Sequence, residues 1–263
     1  MNKLVIAALT VLGLNSCFEY NPNQIILDDE ESGLTQKNIT RIQSRPAPAV
    51  IKFAFMGDTQ RFYDEAEEFV DHINTRTDID FVIHAGDISD FGLAKEFIWV
   101  NDIMSKIRVP HLTVVGNHDL LANGRKVYNE MYGDLNYSFE YGNYKFIMLN
   151  TNSREYDFKG TIPDLIWLQN QLAENTDNKK VIVISHVPPF DIDFDKNLEQ
   201  DYARILATDP NVIFSLHGHR HSFYSGEYYD DGVDYFITTS TQKKGYAVIT
   251  LTTDGESIEK IEF

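Results

Sequence analysis

Short apolar runs that each stop at a polar or glycine-containing turn constrain the fold of this chain more than any other feature. The runs are rich in β-branched and aromatic residues, and each is too short for a buried helix, so they predict buried strands. They are VIKFAFM (50–56), DFVIHA (80–85), HLTVV (111–115), VIVI (181–184) and VIFSL (212–216).

Segments with helical periodicity lie between these runs, at residues 66–73, 93–107, 165–172 and 198–206. Strands that alternate with helices predict βαβ units and parallel pairing. Two stretches break this rhythm as predicted hairpins. Tyr137 to Asn150 turns at Gly142-Asn143, and the C-terminal stretch from Tyr235 turns at Asp254-Gly255. The sequence therefore predicts an α/β fold whose sheets are mixed rather than purely parallel.

The N-terminus has the features of a secretion signal. After Lys3 comes an apolar run from Leu4 to Leu14, which is too short to span a bilayer as an ordinary helix and is typical of a signal-peptide core. The sequence that ends it, Leu-Asn-Ser-Cys17, resembles a bacterial lipobox. These features predict a signal peptide at 1–16 and lipidation of Cys17, which would anchor the protein in the bacterial cell envelope, in the periplasm or at the cell surface. The alternative is a plain hydrophobic helix with an incidental cysteine.

Residues 17–48 are polar, contain an acidic cluster and end in Arg-Pro-Ala-Pro, so we interpret them as a lipidated N-terminus and tether. Within them, residues 34–42 could form one short helix. No internal repeat and no further linker divides the rest of the chain, so residues 49–263 are predicted to form one domain.

Composition limits the partners of this domain. The 40 acidic residues exceed the 23 basic ones and give a net charge of -17, which argues against nonspecific binding of nucleic acid. A small phosphorylated substrate is still compatible with this charge if bound cations reverse its sign locally. The single cysteine excludes an intramolecular disulfide and a cysteine-based zinc site. The oligomeric state cannot be predicted.

The residues that follow the predicted strands are the candidates for a functional site. They are Gly57-Asp58-Thr59-Gln60, Gly86-Asp87-Ile88-Ser89-Asp90, Gly116-Asn117-His118-Asp119, Ser185-His186 and His217-Gly218-His219-Arg220-His221. Taken singly, each could be a turn residue or a structural imidazole. However, the carboxyl ends of strands in open α/β sheets form a common crevice, so these donors are expected to meet. Mixed carboxylate, carboxamide and imidazole ligands suit Mn, Fe or Zn better than Ca or Mg.

In this order, GD, GDxxD, GNHD, H and GHxH resemble the motifs of the calcineurin-like metallophosphoesterases. The resemblance covers about Val50 to Phe263 and includes Gly160-Thr161-Ile162, which leads into Trp167-Leu168. It implies an α/β fold of two mixed β-sheets packed as a sandwich and flanked by helices. It also implies an enzyme with two divalent metal ions (Mn, Fe or Zn) that hydrolyses a phosphomonoester or phosphodiester through a hydroxide bridging the metals.

The resemblance also implies a role for each matching residue. One metal would be bound by Asp58 and His221, the other by Asn117, His186 and His219, with Asp87 bridging the two. His118 would act as general acid toward the leaving group, a step usually worth about 10² to 10⁴ in rate. Asp90 would hold the His118 ring in orientation. Three neighbours are interpreted as structural: Asp119 would brace the turn, and His217 and His84 would be packed or hydrogen-bonded.

Gln60 departs from the family pattern, because it stands where the family usually has the histidine of DxH. A carboxamide oxygen can coordinate a divalent ion more weakly than imidazole, so we predict Gln60 to be a metal ligand at one position. The alternative is a catalytically impaired metallophosphoesterase fold that serves as a binding lipoprotein.

A second departure concerns phosphate recognition. Protein phosphatases of this superfamily have an arginine directly after GDxxD and read GNHE, whereas here Phe91-Gly92 follows Asp90 and the third motif is GNHD. This disfavours a protein phosphatase, because Phe cannot replace a bidentate phosphate clamp. The arginines that could supply positive charge instead are Arg61, Arg125, Arg154 and Arg220.

Overall fold

The computed structural model describes residues 24–263, so the predicted signal peptide and Cys17 lie outside the described residues. Within that range the chain forms two mixed β-sheets and helices that flank them. The strands of the first sheet are β1 (Ile51–Met56), β2 (Phe81–His84), β3 (His111–Thr113), β10 (Gly245–Thr252) and β11 (Gly255–Glu262). Those of the second are β4 (Tyr137–Tyr141), β5 (Tyr144–Leu149), β6 (Lys180–Ser185), β7 (Val212–His217), β8 (Tyr224–Gly226) and β9 (Asp234–Ile237).

The order of the first sheet is β11-β10-β1-β2-β3, and that of the second is β4-β5-β6-β7-β9-β8. In the first sheet β1, β2 and β3 pair in parallel, and in the second β5, β6, β7 and β9 do so. The predicted hairpins β4-β5 and β10-β11 are antiparallel. The parallel strands therefore bring their carboxyl ends together within each sheet, and the hairpins make both sheets mixed, as predicted.

The α-helices of the described chain are α1 (Leu34–Gln43), α2 (Tyr63–Thr75), α3 (Ala94–Met104), α4 (Gly124–Met131), α5 (Leu165–Ala173) and α6 (Lys196–Thr208). Side chains of α2, α3 and α4 pack on the outer face of the first sheet, and those of α5 and α6 pack on the outer face of the second. This gives the helix, sheet, sheet, helix layering that the family resemblance implies.

A largely aromatic core joins the two sheets. In β1, Phe53 and Phe55 point to the inner layer while Ala54 and Met56 point to the helices, as expected for side chains that alternate across a strand. The Phe53 and Phe81 rings stack with centroids 5.2 Å apart. Such pairs contribute about 0.5–1.5 kcal/mol beyond the burial of their area. This rigid layer fixes the positions of the strand ends that carry the candidate site.

Helix α1 lies inside the segment that we interpreted as a tether. Leu34 is buried between the helices and the first sheet, and Ile39 and Ile42 are buried in the core between the two sheets. The side-chain amide of Gln43 donates to the carbonyl of Glu140. The buried side chain of Asn38 accepts a hydrogen bond from the backbone amide of His111 at the start of β3. Helix α1 is thus packed onto the folded domain, and the short helix that we allowed at residues 34–42 is present.

Two elements differ from the sequence prediction. Helix α4 was not predicted, although Val127, Tyr128 and Met131 form its buried face. Tyr235 was expected to begin the C-terminal hairpin, but it belongs to β9, which pairs in parallel with β7 in the other sheet. A polar stretch precedes β9, so the sequence shows no long apolar run there, and the partner strand β7 is distant in sequence. Within residues 24–263, no helix is both long and apolar enough to span a bilayer.

Candidate metal centre

Predicted ligands from both sheets meet at one edge of the sandwich. Asp58 and Asp87 follow the parallel strands β1 and β2, and His186 follows β6 of the second sheet. One ligand atom from each of these three buried residues lies within 4.8 Å of the other two. The convergence predicted from the strand ends is therefore present.

The backbone at this edge is unusual for residues other than glycine. Five predicted site residues have a positive φ: Asp58 (55°), Gln60 (31°), Asp87 (59°), His219 (70°) and His221 (52°). This left-handed region is uncommon for side-chain-bearing residues, and Asp and His tolerate it better than most. Such conformations cost about 1–3 kcal/mol each and concentrate at functional sites. The packing of the two sheets around these turns therefore has to stabilise backbone conformations that the residues alone would disfavour.

Asp58 is a buried carboxylate that lies beside His221. Its side chain is fully buried, and neither carboxylate oxygen accepts a hydrogen bond from residues 24–263. Nε2 of His221 lies 3.2 Å from Asp58 Oδ1, and this carboxylate raises the pKa of His221. A buried carboxylate without hydrogen bonds is costly. Its environment therefore fits a cation.

Asp87 lies between the two halves of the centre. Its Oδ2 accepts a hydrogen bond from Nε2 of Gln60 at 2.8 Å, and its Oδ1 accepts one from the backbone amide of His118 at 2.9 Å. Nε2 of His186 is 3.3 Å from Oδ2. Although burial acts in the opposite direction, His186 and His118 lower the pKa of Asp87. Asp87 is therefore a carboxylate with groups on both of its oxygens, as a bridging ligand would be.

His186 faces oxygen acceptors on both ring nitrogens. Its Nδ1 is 2.7 Å from the carbonyl of Ala85, which can only accept, so Nδ1 carries a proton. The other nitrogen, Nε2, lies 3.1 Å from Asn117 Oδ1 as well as near Asp87. In a neutral ring the lone pair on Nε2 would face these two oxygens, an arrangement that a proton or a metal ion at this position relieves. Burial lowers the pKa of His186, but Asp87 and Asp58 outweigh it and raise it to about 10.

Asn117 Oδ1 receives a second imidazole. Nδ1 of His219 lies 3.0 Å from this oxygen, and the other ring nitrogen, Nε2, is directed elsewhere. The His186 and His219 rings are 5.2 Å apart and nearly perpendicular. Asn117, His186 and His219 thus converge as the resemblance implies for one metal position, and His221 and Asp58 lie together as it implies for the other.

His118 and Asp90 are adjacent, but the contact differs from the prediction. Nδ1 of His118 donates to the backbone carbonyl of Asp90 at 2.8 Å, whereas the Asp90 carboxylate is 3.6 Å away. That carboxylate instead forms an ion pair with Arg61 at 2.6 Å. The main chain of Asp90 therefore orients the ring, and its side chain places Arg61 beside it.

Gln60 reaches the centre, in an orientation that the sequence did not predict. Its amide nitrogen faces Asp87 Oδ2, so the group directed at the bridging carboxylate is a donor rather than an oxygen ligand. The assignment of amide oxygen and nitrogen follows from the hydrogen-bond network, and rotation by half a turn exchanges them. Oxygen ligation by Gln60 is a prediction that would need this rotation.

The substitution Gln60→His tests that prediction. An imidazole at this position would add a stronger ligand, and His tolerates a positive φ better than most residues. We expect the affinity for one of two metal ions to rise by about tenfold. This is the lower end of the roughly 10–100-fold change in metal affinity that substitutions beside metal ligands produce. Calorimetric titration with Mn²⁺ measures it, with Gln169→His in α5 as the control. Unchanged affinity would mean that Gln60 acts only as a hydrogen-bond donor to Asp87.

The neighbours interpreted as structural have structural contacts. Asp119 accepts hydrogen bonds from Ser89 and from the backbone amide of Gly116, and burial followed by the charge of Asp87 raises its pKa to about 7. Burial lowers the pKa values of His217 and His84 to about 3. His217 is held between two serine hydroxyls, and His84 contacts Thr59 and the amide of Gly86.

Close backbone packing explains Gly116. A Cβ atom there would lie 2.0 Å from the Asp87 backbone nitrogen and 2.2 Å from its Oδ1 atom. Real Cβ contacts are never so short, so only glycine lets the turn after β3 approach the Asp87 carboxylate.

Sequence reasoning missed two carboxylates at this edge. Asp191 and Asp193 lie in the loop after β6, 3.5 and 3.4 Å from Nε2 of His219, and the three residues form a second cluster with atoms within 4.8 Å of one another. Asp193 contacts Arg154, and Asp191 lies 3.5 Å from Nε of Arg220. The only signal in the sequence was the DxD spacing five residues after His186.

Three of the four candidate arginines lie at the centre. Arg61, Arg154 and Arg220 each pair with a carboxylate that is close to a predicted catalytic or metal-binding histidine. Their side chains are about half exposed or more, at 61%, 52% and 49%. Arg125 lies over the ring of Tyr156 instead. The rim of the centre therefore carries guanidinium groups that are paired with aspartates and remain partly exposed.

Comparison with known proteins agrees with this geometry. The family model described as "Calcineurin-like phosphoesterase" matches residues 51–223. A 3',5'-cyclic-nucleotide phosphodiesterase of Nostoc sp. is 24% identical over 210 residues, which are 71% of this chain and 77% of the relative. A probable glycerophosphodiester phosphodiesterase of Arcobacter nitrofigilis is 28% identical over 164 residues, which are 57% of this chain and 60% of the relative.

A solved structure shows the same fold. A dimetal phosphatase from Danio rerio matches with a TM-score of 0.67, at 14% identity, over 82% of this chain and 98% of its own. At that identity the match supports the sandwich architecture and not a particular substrate.

Proposed function

Since the chain belongs to the calcineurin-like phosphoesterase family, we propose that it hydrolyses small phosphodiesters at a centre of two divalent metal ions. It is a metal-dependent phosphoesterase, and its homologues are named as cyclic-nucleotide and glycerophosphodiester phosphodiesterases. The names of these relatives support a diester over a monoester. The acidic character of the chain favours a small substrate over a nucleic-acid strand.

One observation carries the proposal: the inward nitrogen of His186 faces only oxygen atoms, from Asn117 and Asp87. Together with the buried Asp58 carboxylate, whose oxygens accept no hydrogen bond from the described residues, this makes the donor set fit cations. One ion would be held by Asp58, Gln60 and His221, the other by Asn117, His186 and His219, with Asp87 shared. Bound divalent ions of this kind lower the pKa of a water molecule and offset the charge of phosphoryl oxygens. Their identity, Mn, Fe or Zn, is open.

His118 is the residue proposed to protonate the leaving group. Its Nδ1 proton is occupied by the Asp90 carbonyl, so the proton available for transfer is one at Nε2. The side chain is 34% exposed, so a substrate can reach it. His118 would donate the Nε2 proton to the departing ester oxygen, while the Asp90 carbonyl keeps the ring in place.

Arginines at the rim would act on the substrate rather than on the metals. Arg61 pairs with Asp90 on the side of His118, and Arg220 lies between the two histidines of the last motif. These guanidinium groups could bind an anionic group of the substrate, which the residue after GDxxD cannot do here because it is Phe91.

A substrate panel tests the proposed reaction. The full chain, loaded with Mn²⁺, Fe²⁺ or Zn²⁺, would be assayed with bis(4-nitrophenyl) phosphate, 4-nitrophenyl phosphate, cyclic nucleotides and glycerophosphodiesters. We expect diesters to be hydrolysed with a higher kcat/KM than the monoester. Absence of metal binding and of hydrolysis under all three metals would favour a binding lipoprotein with an inherited fold.

The location is a separate proposal, since it depends on residues 1–23. A lipid on Cys17 would anchor the enzyme in the bacterial cell envelope, and the residues between Cys17 and helix α1 would link the lipid to the folded domain. The substitution Cys17→Ala is expected to release the protein from the membrane fraction, since a lipid chain would be its anchor. Fractionation of cells that express either form measures this, and an unchanged membrane fraction would contradict lipidation.

A further inference from the structure

The predicted metal-binding histidines differ in what their outward ring nitrogens contact. For His186 the outward partner is a neutral backbone carbonyl, that of Ala85. For His219 it is a pair of carboxylates, Asp191 and Asp193, which lie 3.5 and 3.4 Å from Nε2. His219 is thus set between an amide oxygen on one side and two carboxylates on the other.

When Nδ1 of His219 binds a metal ion, the two carboxylates favour one tautomer of the ring. Carboxylates only accept hydrogen bonds, so the ring proton is favoured on Nε2, and the lone pair is then on Nδ1. Nδ1 is directed at Asn117 Oδ1, 3.0 Å away, where the second metal ion is proposed to lie. A carboxylate behind a metal-binding histidine also makes the imidazole a stronger donor.

Two arginines compensate the carboxylates. Arg154 contacts Asp193, and Nε of Arg220 lies 3.5 Å from Asp191 Oδ2. Two carboxylates facing two guanidinium groups leave no excess negative charge to hold a further cation. The cluster is therefore better suited to orient His219 than to bind a third metal.

We propose that Asp191 and Asp193 are positioning residues, which hold His219 with Nδ1 toward the metal that it shares with Asn117 and His186. This inference rests on the proposed function. It assigns a role to the loop after β6, whose carboxylates would set how tightly one of the two ions is bound. The backbone amide of Asp193 donates to Asp191 Oδ1 at 3.1 Å, and this hydrogen bond fixes the Asp191 carboxylate relative to Asp193.

Graded substitutions at Asp193 test the proposal. Asp193→Asn keeps an oxygen acceptor but removes the charge, and Asp193→Ala removes both, so Ala should have the larger effect. The control is Asp195→Asn, because Asp195 is a buried carboxylate of the same loop that accepts from the amides of Gly160 and Asn197. Thermal melting separates a loss of stability from a loss of metal affinity.

Calorimetric titration of the metal-free full chain with Zn²⁺ gives the decisive readout. We expect two binding events in the wild type, and in the Asp193 variants one of the two affinities should fall by about 10–100-fold while the other is unchanged. The Asp191→Asn variant should have the same selective effect, and the Asp195→Asn control should show neither change.

Three outcomes would overturn this role. One is unchanged zinc affinity in all variants, with only a lower melting temperature. Another is a third bound zinc ion in the wild type that is lost selectively in the variants, which would make the cluster a cation site of its own. The last is a wild type that binds none of Zn²⁺, Mn²⁺ and Fe²⁺ in the same titration, and this outcome alone would overturn the proposed function as well.

Discussion

Asp87→Asn is expected to abolish hydrolysis while the chain remains folded. Asp87 is the one predicted ligand with partners on both carboxylate oxygens, and it clusters with Asp58 and His186. Metal ions contribute several kcal/mol of charge stabilisation to the transition state, and each 1.36 kcal/mol is a factor of ten in rate. Loss of a shared ligand should therefore lower kcat by about 10³-fold or more, measured with bis(4-nitrophenyl) phosphate at saturating metal.

The fold should tolerate this substitution for two reasons. Asp87 has a φ of 59°, a conformation that Asn also adopts readily. The Asn oxygen can still accept from the His118 amide, and the Gln60 amide can rotate to accept from the new NH₂ group. Circular dichroism and thermal melting verify that the variant is folded. A folded variant that keeps kcat within tenfold of the wild type would refute the bridging assignment.

His118→Asn is expected to reduce turnover in a way that depends on the leaving group. General acid catalysis is worth about 10² to 10⁴ in rate when the leaving group is a poor one. A glycerol or ribose oxygen needs a proton as it departs, whereas a nitrophenolate needs none. The variant should therefore lose about 10²-fold or more in kcat with an alkyl diester and far less with bis(4-nitrophenyl) phosphate.

The pair of substrates is the internal control, because damage to metal binding would slow both reactions equally. The Asn side chain can donate to the Asp90 carbonyl as the His118 ring does, so the local turn should be preserved. Equal loss with both substrates would indicate that His118 positions the centre through its backbone contact to Asp87 and does not protonate the leaving oxygen.

Most of the candidate metal-binding set could be predicted because its members share one property of the sequence. Each comes one to four residues after the last residue of a strand, and they are Asp58, Asp87, Asn117, His186 and His219. Parallel strands carry such positions to a common edge whatever the details of packing. The sandwich itself was implied by the family resemblance, and comparison with solved structures supports it.

Contacts made by loops could not be predicted in the same way. Asp191 and Asp193 have no periodic or strand-end signal, and only the packed loop brings them to His219. The same limit applies to His118, because spacing cannot distinguish the carboxylate of Asp90 from its carbonyl. Helix α1 could not be assigned to the domain from the sequence, because its side chains Ile39 and Ile42 pack against residues that are distant in sequence.

Turnover is proposed to require two divalent ions at the edge where Asp58, Asp87 and His186 meet. To measure this requirement, Mn²⁺ is added stepwise to the metal-stripped full chain, and hydrolysis of bis(4-nitrophenyl) phosphate is followed at each step. We expect no turnover without metal and a maximum at two equivalents per chain. Turnover by the stripped chain that a chelator does not diminish, or a maximum reached at one equivalent, would contradict it.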